Sequence, residues 1–559
     1  MRRSDGLWLA AVLCGLIGCS SDAFELETSQ NSAIASDCDA GAGVPARFTR
    51  GEGISKCGRS NPLDIDSGVL PVYRERGTTH VLEYPVSVTG FLIPYQPMLT
   101  VIEGQTDNPI RRAIADILPA FTGLHSMEDL WDTMGLVRDV DGSYLSVTKM
   151  ATEQGVGLTF SCTACHSGRL FGQPVIGLHN RRSRANEMFE TTKPLFTVVT
   201  PNLFKIGSGA TDAERAMWSE TRRNMRYIDS ATPRARGLDS ALAHTMMSLA
   251  LREDDPWATK SSTSFLFPRR TELETHPNEV KPATWWLTKY KNKWFSDGSL
   301  VSGNPVLAAL LVNEFGRGSD LREVDQWLSE NQTIIDELTT AVFSTEAPSY
   351  FDFFEVGEFD LASAMAGQEH FVQNCSRCHG TYRKGWERSD AAQLSPRELV
   401  ATTKVEYWSD TPIRNVGTDA FRRESVNYML ELNDIQLNVD NGIVMEVQEG
   451  YVPPPLVGIW ARWPYFHNMS APSLCAVLTR ADERPVRYRA GEPIDRDRDF
   501  DAECNGYPES APAHFDVEFD TRIPGLGNSG HDERIFLKDG EEVFSPAEKR
   551  ELIRFLQTL

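Results

Sequence analysis

The chain has 559 residues, of which 41% are hydrophobic and 24% charged, a composition typical of a globular protein with about two to four domains. Its formal net charge of −22 at pH 7 argues against nucleic acid as a partner, because that interaction requires clustered positive charge. After the first twenty residues, no segment is apolar enough to span a bilayer.

The N-terminal segment predicts export. Arg2 and Arg3 precede an apolar run, 7–18, that is too short for a membrane helix, as in a secretory signal peptide. The run ends in Leu-Ile-Gly followed by Cys19, which is similar to a bacterial lipobox and predicts that Cys19 is acylated. The alternative is an unrelated cysteine at an ordinary cleavage site.

By resemblance to lipoprotein sorting signals, Ser20 after the cysteine favours the outer membrane. We therefore expect a signal peptide over 1–19 and a flexible tether over 20–60. The lipid would anchor the exported protein to the outer membrane, where it faces the periplasm.

Each of the ten cysteines can be assigned a role. One leaves with the signal peptide, Cys19 takes lipid, and four lie in the two motifs described next. The remaining four are an even number in an oxidising compartment, which predicts two disulfides. Sequence proximity favours the pairings Cys38–Cys57 and Cys475–Cys504.

Two Cys-X-X-Cys-His motifs predict covalent haem c. They comprise Cys162, Cys165 and His166, and Cys375, Cys378 and His379. Two thiols one turn apart can form thioethers to the haem vinyl groups, and the following imidazole can ligate the iron. Zinc is the alternative for a cysteine pair, but the pairs lie more than two hundred residues apart and each has its own histidine. The sequence predicts two haem c groups.

The second motif lies in a frame that resembles a cytochrome c domain. The segment 361–374 predicts a helix that runs into the motif, with Gly367 and Phe371 spaced to pack against a partner helix. Near the C-terminus, Ser545 and Glu548 form a capping box around Pro546 and predict a second helix. In cytochromes c, the first and last helices cross beside the haem.

The axial ligand on the far side of the second iron follows from a resemblance. The segment 451–474, with Pro-Pro-Pro-Leu, Trp460 and His467, resembles a diheme cytochrome family that includes the latex-cleaving (rubber) oxygenases and, more distantly, the diheme cytochrome c peroxidases. The segment 519–531 is similar to a second family element, whose histidine binds the C-terminal haem. The resemblance implies His531 as the ligand, with His467 as the alternative. Arg462 and Met469 depart from the family pattern beside the signature histidine.

For the first haem, His179 and His244 are the nearby candidates for a second ligand, and neither is convincing from the sequence. The resemblance implies an open position for dioxygen or peroxide. The aromatic segment 281–298 is similar to a family segment over this pocket, which implies that Trp285 or Trp286 shapes the pocket or relays an electron. The alternative for both tryptophans is simple packing.

The sequence thus predicts a mainly α-helical protein with long loops and little β structure. Two cytochrome c-like haem domains are expected over 61–350 and 351–559. Helices are predicted around 110–120, 239–251 and 306–315, and a short strand around 81–94. The expected function is that of a diheme oxidoreductase that uses dioxygen or peroxide and a redox partner protein. The alternative is a non-catalytic electron-transfer lipoprotein.

Overall fold

Helices provide most of the secondary structure in the computed structural model, which describes residues 66, 68–83 and 90–559. The α-helices are Leu70–Glu83, Tyr95–Glu103, Pro109–Thr122, Met127–Thr133, Ala185–Val198, Pro201–Ser208, Asp212–Met225, Ala241–Ala250, Ser262–Leu266, Pro305–Gly316, Leu321–Ser344, Leu361–Asn374, Ser376–His379, Pro396–Val400, Phe421–Ser425, Gln436–Asp440, Leu474–Val477, Arg496–Asp499 and Pro546–Gln557. Three of the short 3-10 turns matter for the candidate site: Cys162–Ala164, Trp285–Tyr290 and Ile459–Ala461.

The strands form small antiparallel sheets between the helices. They are Ile93–Pro94, Val147–Thr152, Gly155–Phe160, Ser167–Leu170, Gln173–Ile176, Leu300–Ser302, Thr381–Lys384, Thr402–Glu406, Val444–Met445, Arg487–Ala490, Val517–Asp520, Leu537–Lys538 and Glu541–Glu542. One sheet has three strands, and the other described sheets have two. The expectation of a mainly α fold is confirmed, with some β structure in addition.

The predicted helices around 110–120, 239–251 and 306–315 are present within a few residues of the expected bounds. The strand expected around 81–94 is wrong at its start, because Val81 belongs to the helix Leu70–Glu83. This helix packs along the long helix Leu321–Ser344. Gly77 makes the contact close, since a Cβ at this position would lie 1.9 Å from the carbonyl oxygen of Glu337.

Two distant helices cross as the cytochrome c frame predicts. The first crossing helix, Leu361–Asn374, packs against the C-terminal helix, Pro546–Gln557. The crossing is close at Gly367, where a Cβ would lie 2.0 Å from the carbonyl oxygen of Glu551. Phe371 lies against Phe555, with ring centroids 5.2 Å apart. The predicted capping box at Ser545 is confirmed by reciprocal bonds with Glu548.

Three large hydrophobic clusters form the core. The N-terminal core contains Phe91 and Trp218, the central core contains Leu311 and Phe343, and the C-terminal core contains Phe371 and Trp460. The central and C-terminal cores both combine residues from before and after position 350. The boundary between two haem domains at this position therefore stays a prediction. Within the described ranges, no helix has the length and apolarity needed to cross a membrane.

Candidate haem sites

The second cysteine pair lies where the first crossing helix ends. Cys375 caps that helix, and the short helix Ser376–His379 follows at once. Backbone bonds from Cys378 and His379 to the carbonyl oxygen of Cys375, at 3.1 and 3.0 Å, wind the motif into one turn. Both cysteines carry free, half-buried thiols. The two sulfurs therefore belong to the same turn as the imidazole, as covalent haem attachment requires.

The imidazole of His379 is oriented by the backbone. Its Nδ1 lies 2.8 Å from the carbonyl oxygen of Pro454, which can only accept, so Nδ1 donates the proton. The other nitrogen, Nε2, is then left with its lone pair, which is the state that ligates a metal. Burial lowers the pKa of His379 to about 4, so the ring is neutral at pH 7.

His531 lies opposite His379. The centroids of the two imidazole rings are 6.3 Å apart, with the planes inclined at 56°. Two nitrogen–metal bonds of about 2 Å in line, with the ring radii added, place the centroids of two axial imidazoles about 6 Å apart. The observed spacing would therefore admit one iron between the two rings. Burial lowers the pKa of His531 to about 3, which keeps this ring neutral as well.

A tight loop presents His531. His531 has a φ of 57°, and its backbone N–H donates to the carbonyl oxygen of Val416 at 2.8 Å. The preceding Gly530 has a φ of 72° and packs so closely that a Cβ would lie 2.2 Å from the carbonyl carbon of Gly417. Arg484 donates to the carbonyl oxygen of Gly530 at 2.7 Å. The position of the imidazole is thus set by its backbone.

The alternative ligand, His467, has a different neighbour. Its ring stacks on that of Tyr451, with centroids 4.1 Å apart and planes inclined at 19°. Nε2 of His467 is buried and has no hydrogen-bond partner among the described residues. The charged groups that act on the pKa of His467 are Arg422, Asp297 and Lys281. The structure therefore brings His531, rather than His467, to His379.

The first cysteine pair forms a similar turn between strands. Cys162 begins the 3-10 turn, and the backbone N–H of His166 donates to its carbonyl oxygen at 3.2 Å. The thiols of Cys162 and Cys165 are free. Burial raises the pKa of Cys162 to about 11 and that of Cys165 to about 12, so both are protonated in the folded chain.

His166 repeats the arrangement of His379. Its Nδ1 donates to the carbonyl oxygen of Ala283 at 2.8 Å, which again leaves Nε2 with its lone pair. Burial lowers the pKa of His166. The ring of Trp285 lies 5.5 Å from the imidazole, inclined at 34°. Each motif thus has a neutral imidazole whose Nδ1 is held by a backbone carbonyl.

The two histidines named as further candidates for the first haem have other surroundings. His244 donates from Nε2 to the carbonyl oxygen of Gly316 at 2.7 Å, and its ring lies against Phe189. His179 is fully buried, and neither ring nitrogen has a hydrogen-bond partner among the described residues. The charges that lower the pKa of His179, after burial, come from Lys281, Arg181 and Arg462.

The adjacent tryptophans belong to different cores. Trp285 packs in the central core, next to His166, whereas Trp286 packs in the C-terminal core. Trp286 is fully buried, and its Nε1 donates to the carbonyl oxygen of Val457 at 3.0 Å. Val457 lies three residues after Pro454, which holds His379. The pair therefore connects the surroundings of both motifs.

A second aromatic group near His379 was missed from the sequence. Tyr290, Tyr407 and Trp408 pack together, and Trp408 donates to the carbonyl oxygen of Cys378 at 3.2 Å. Tyr407 donates to the carbonyl oxygen of Pro453 at 2.6 Å. The only signal in the sequence is the Tyr-Trp pair itself, which does not specify what it packs against.

Cys475 and Cys504 are joined by a disulfide with an S–S distance of 2.09 Å. This is the pairing that sequence proximity favours. The other cysteine predictions, lipidation of Cys19 and the pair Cys38–Cys57, lie outside the described residues.

Part of the chain matches a known family model. Residues 450–489 match the family model described as RoxA-like, cytochrome c-like. The matched segment supplies Pro454, which orients His379, and Val457, which accepts from Trp286. The match supports the rubber oxygenase type of cytochrome c and indicates covalently bound haem c.

Two proteins of Sinorhizobium fredii align with parts of the chain. "Uncharacterized protein y4iJ" is 37% identical over 127 residues, which are 22% of this chain and 20% of the relative. "Uncharacterized protein y4iM" is 25% identical over 196 residues, which are 33% of this chain and 44% of the relative. The chain thus matches less than half the length of either relative.

The residues of both motifs fit haem c. Each offers two free thiols on one turn, followed by a neutral imidazole whose Nδ1 donates to a carbonyl. The second motif adds the facing imidazole of His531, whose Nδ1 is buried and has no hydrogen-bond partner among the described residues.

Proposed function

We propose that this protein is a diheme c-type cytochrome oxidoreductase. The observation that carries the proposal is the pairing of His379 with His531, at the spacing expected for two ligands of one iron. The match of residues 450–489 to a cytochrome c-like family supports it independently of the geometry. When bound, haem supplies an iron that exchanges electrons and, where one coordination position is open, takes dioxygen or peroxide.

The second site is assigned to electron transfer. His379 and His531 would together hold the iron of a bound haem, which would leave no position for a small molecule there. His379 is fixed through Pro454, and His531 is fixed through its backbone bond to Val416. Burial keeps both rings neutral at pH 7. The backbone thus holds both imidazoles in place, which suits a site that exchanges electrons.

The first site is assigned to the oxidant, dioxygen or peroxide. His166 would hold one position of the iron, whereas the ring of the candidate His244 packs against Phe189 and donates from Nε2 to the carbonyl oxygen of Gly316. Trp285 lies beside His166, and the adjacent Trp286 reaches the loop that holds His379. We assign the two tryptophans to shaping this pocket and passing an electron between the sites. Cleavage of rubber is one reaction that this arrangement can serve.

The test uses carbon monoxide on the reduced, matured protein. The proposal predicts that the gas binds to one haem in the natural chain. In His531→Ala, binding at both haems is expected, whereas His467→Ala should behave like the natural chain. Two six-coordinate haems that exclude the gas would favour the electron-transfer lipoprotein instead. A second open haem in His467→Ala, rather than in His531→Ala, would show that the ligand assignment is wrong.

The cellular setting is proposed from the sequence. We infer that the chain is exported, acylated at Cys19 and held at the outer membrane on its periplasmic side, where a redox partner protein exchanges electrons with it. In a Cys19→Ser variant with an ordinary cleavage site, the haem-stained protein should move from the membrane to the soluble periplasmic fraction. Retention in the membrane fraction would contradict the lipid anchor.

A further inference from the structure

Several buried cations lie together without a carboxylate partner among the residues that the structure describes. Arg462 is 7% exposed; its Nη1 donates to the carbonyl oxygen of Pro455 at 3.0 Å, while its Nε has no partner among the described residues. Lys281 donates to the carbonyl oxygens of Arg462 and Pro464 at 3.0 and 2.7 Å. Lys291 is 8% exposed, and the positive charge of Arg462 lowers its pKa.

The carboxylate whose charge acts on Lys291 already has another partner. It is Asp297, which raises the pKa of Lys291 but pairs with the buried Arg422 at 2.7 Å. Burial and the charge of Arg462 lower the pKa of Lys291 to about 8. Buried cations are usually paired with an anion, because desolvation of a charge is otherwise unfavourable. This cluster therefore calls for an anion from outside the polypeptide.

The cluster connects the loops that orient both proximal imidazoles. Arg462 bonds Pro455, which follows the Pro454 that accepts from His379. Lys281 lies two residues before Ala283, which accepts from His166. Because Lys281 also donates to the carbonyl oxygen of Arg462, the two loops are tied together at the cations.

Neutral donors at the same place also lack acceptors. Nε1 of Trp463, the residue after Arg462, is buried and has no partner among the described residues; the same holds for the ring of the neutral His179, one nitrogen of which carries a proton. The ring of His179 feels the charges of Lys281 and Arg462. Unpaired buried donors are rare in folded proteins and point to an acceptor that is part of the native assembly. A carboxylate, with two acceptor oxygens, suits both the cations and these donors.

We propose that Arg462, Lys281 and Lys291 bind the propionate carboxylates of the haem groups, with His179 and Trp463 as further donors. The proposal rests on the proposed function, since it requires haem at the two motifs. The cations neutralise the carboxylates in a buried setting and raise the reduction potential, because positive charge near the iron disfavours the more positive oxidised state. Charge at this one cluster therefore affects both haems.

The test is a spectroelectrochemical titration of the purified, matured protein. Arg462→Gln and Lys291→Met should each keep two haems per chain and lower at least one midpoint potential. The expected change is about tenfold in the reduction equilibrium, or about 59 mV for one electron. Arg462→Lys keeps the charge and should change the potential less than Arg462→Gln.

Arg252→Gln is the matched control. Arg252 is 1% exposed and donates to the backbone carbonyls of Ser319 and Phe315. The groups whose charge acts on its pKa lie in neither haem motif. This variant should leave both potentials unchanged. Unchanged potentials in both Arg462→Gln and Lys291→Met, with two haems present, would overturn the proposal. Absence of haem from the natural chain would instead overturn the proposed function. If Arg462→Gln does not fold, Lys291→Met and Arg462→Lys decide.

Discussion

Both proximal imidazoles are set by a backbone carbonyl from a distant part of the chain. Pro454 holds His379, and Ala283 holds His166, each at 2.8 Å. The spacing of the motifs predicts the two histidines, but not these acceptors, because every residue has a carbonyl group. Only the folded chain shows which one is close. The same limit applies to His531, which was named by resemblance and whose spacing from His379 comes from the structure.

Buried neutral histidines make stability depend on pH. His244 is 4% exposed, and burial lowers its pKa to about 3 from an ordinary value near 6.5. The unfolded chain takes up a proton below pH 6.5, and the folded chain does not until about pH 3. The stabilising contribution is therefore complete above pH 6.5 and is lost as the pH falls towards 3.

We expect His244→Gln to reduce this dependence. Between about pH 6 and pH 4, the free energy of unfolding should fall less steeply than in the natural chain, by up to about 1.4 kcal/mol per pH unit. Denaturant unfolding at several pH values measures the slope. His125→Gln, at an exposed position, is the control and should leave the slope unchanged. An identical slope in His244→Gln would contradict the account of this residue.

The crossing of the two helices beside the second motif depends on one glycine. A Cβ at Gly367 would lie 2.0 Å from the carbonyl oxygen of Glu551, so the helices would have to move apart. Gly367→Ala should lower the free energy of unfolding by about 1–3 kcal/mol or more, as overpacking does elsewhere. Gly357→Ala is the control, because no atom lies within 4 Å of its added Cβ. Equal stability of the two variants in denaturant unfolding would show that the contact is not close.

Helix ends were more predictable than strands. The capping box at Ser545 and the small residue at Gly367 are local signals, and the structure confirms both. The strand expected around 81–94 is wrong at its start, where Val81 lies in the helix Leu70–Glu83, and is present at Ile93–Pro94. Val81 is buried in the central core, which includes residues of the helix Leu321–Ser344. That contact lies more than two hundred residues away and leaves no local trace.

At the scale of the whole molecule, the central and C-terminal cores combine residues from both sides of position 350. Trp285 and Trp286 are neighbours in sequence, yet each packs in a different core. Two motifs far apart in sequence suggest two domains. Sequence spacing carries no information on how cores combine, so the shared cores could not be predicted. The grouping of Arg462 with Lys281 and Lys291 could not be predicted for the same reason, although Arg462 was visible as a departure from the family pattern.

The central claim is that each cysteine pair holds one haem. The direct measurement is the intact mass, under denaturing conditions, of the matured natural chain and of two double variants, Cys162→Ser with Cys165→Ser and Cys375→Ser with Cys378→Ser. We predict a mass excess of two haems for the natural chain and of one haem for each variant. A natural chain with one haem or none, or a double variant that keeps both, would contradict the account.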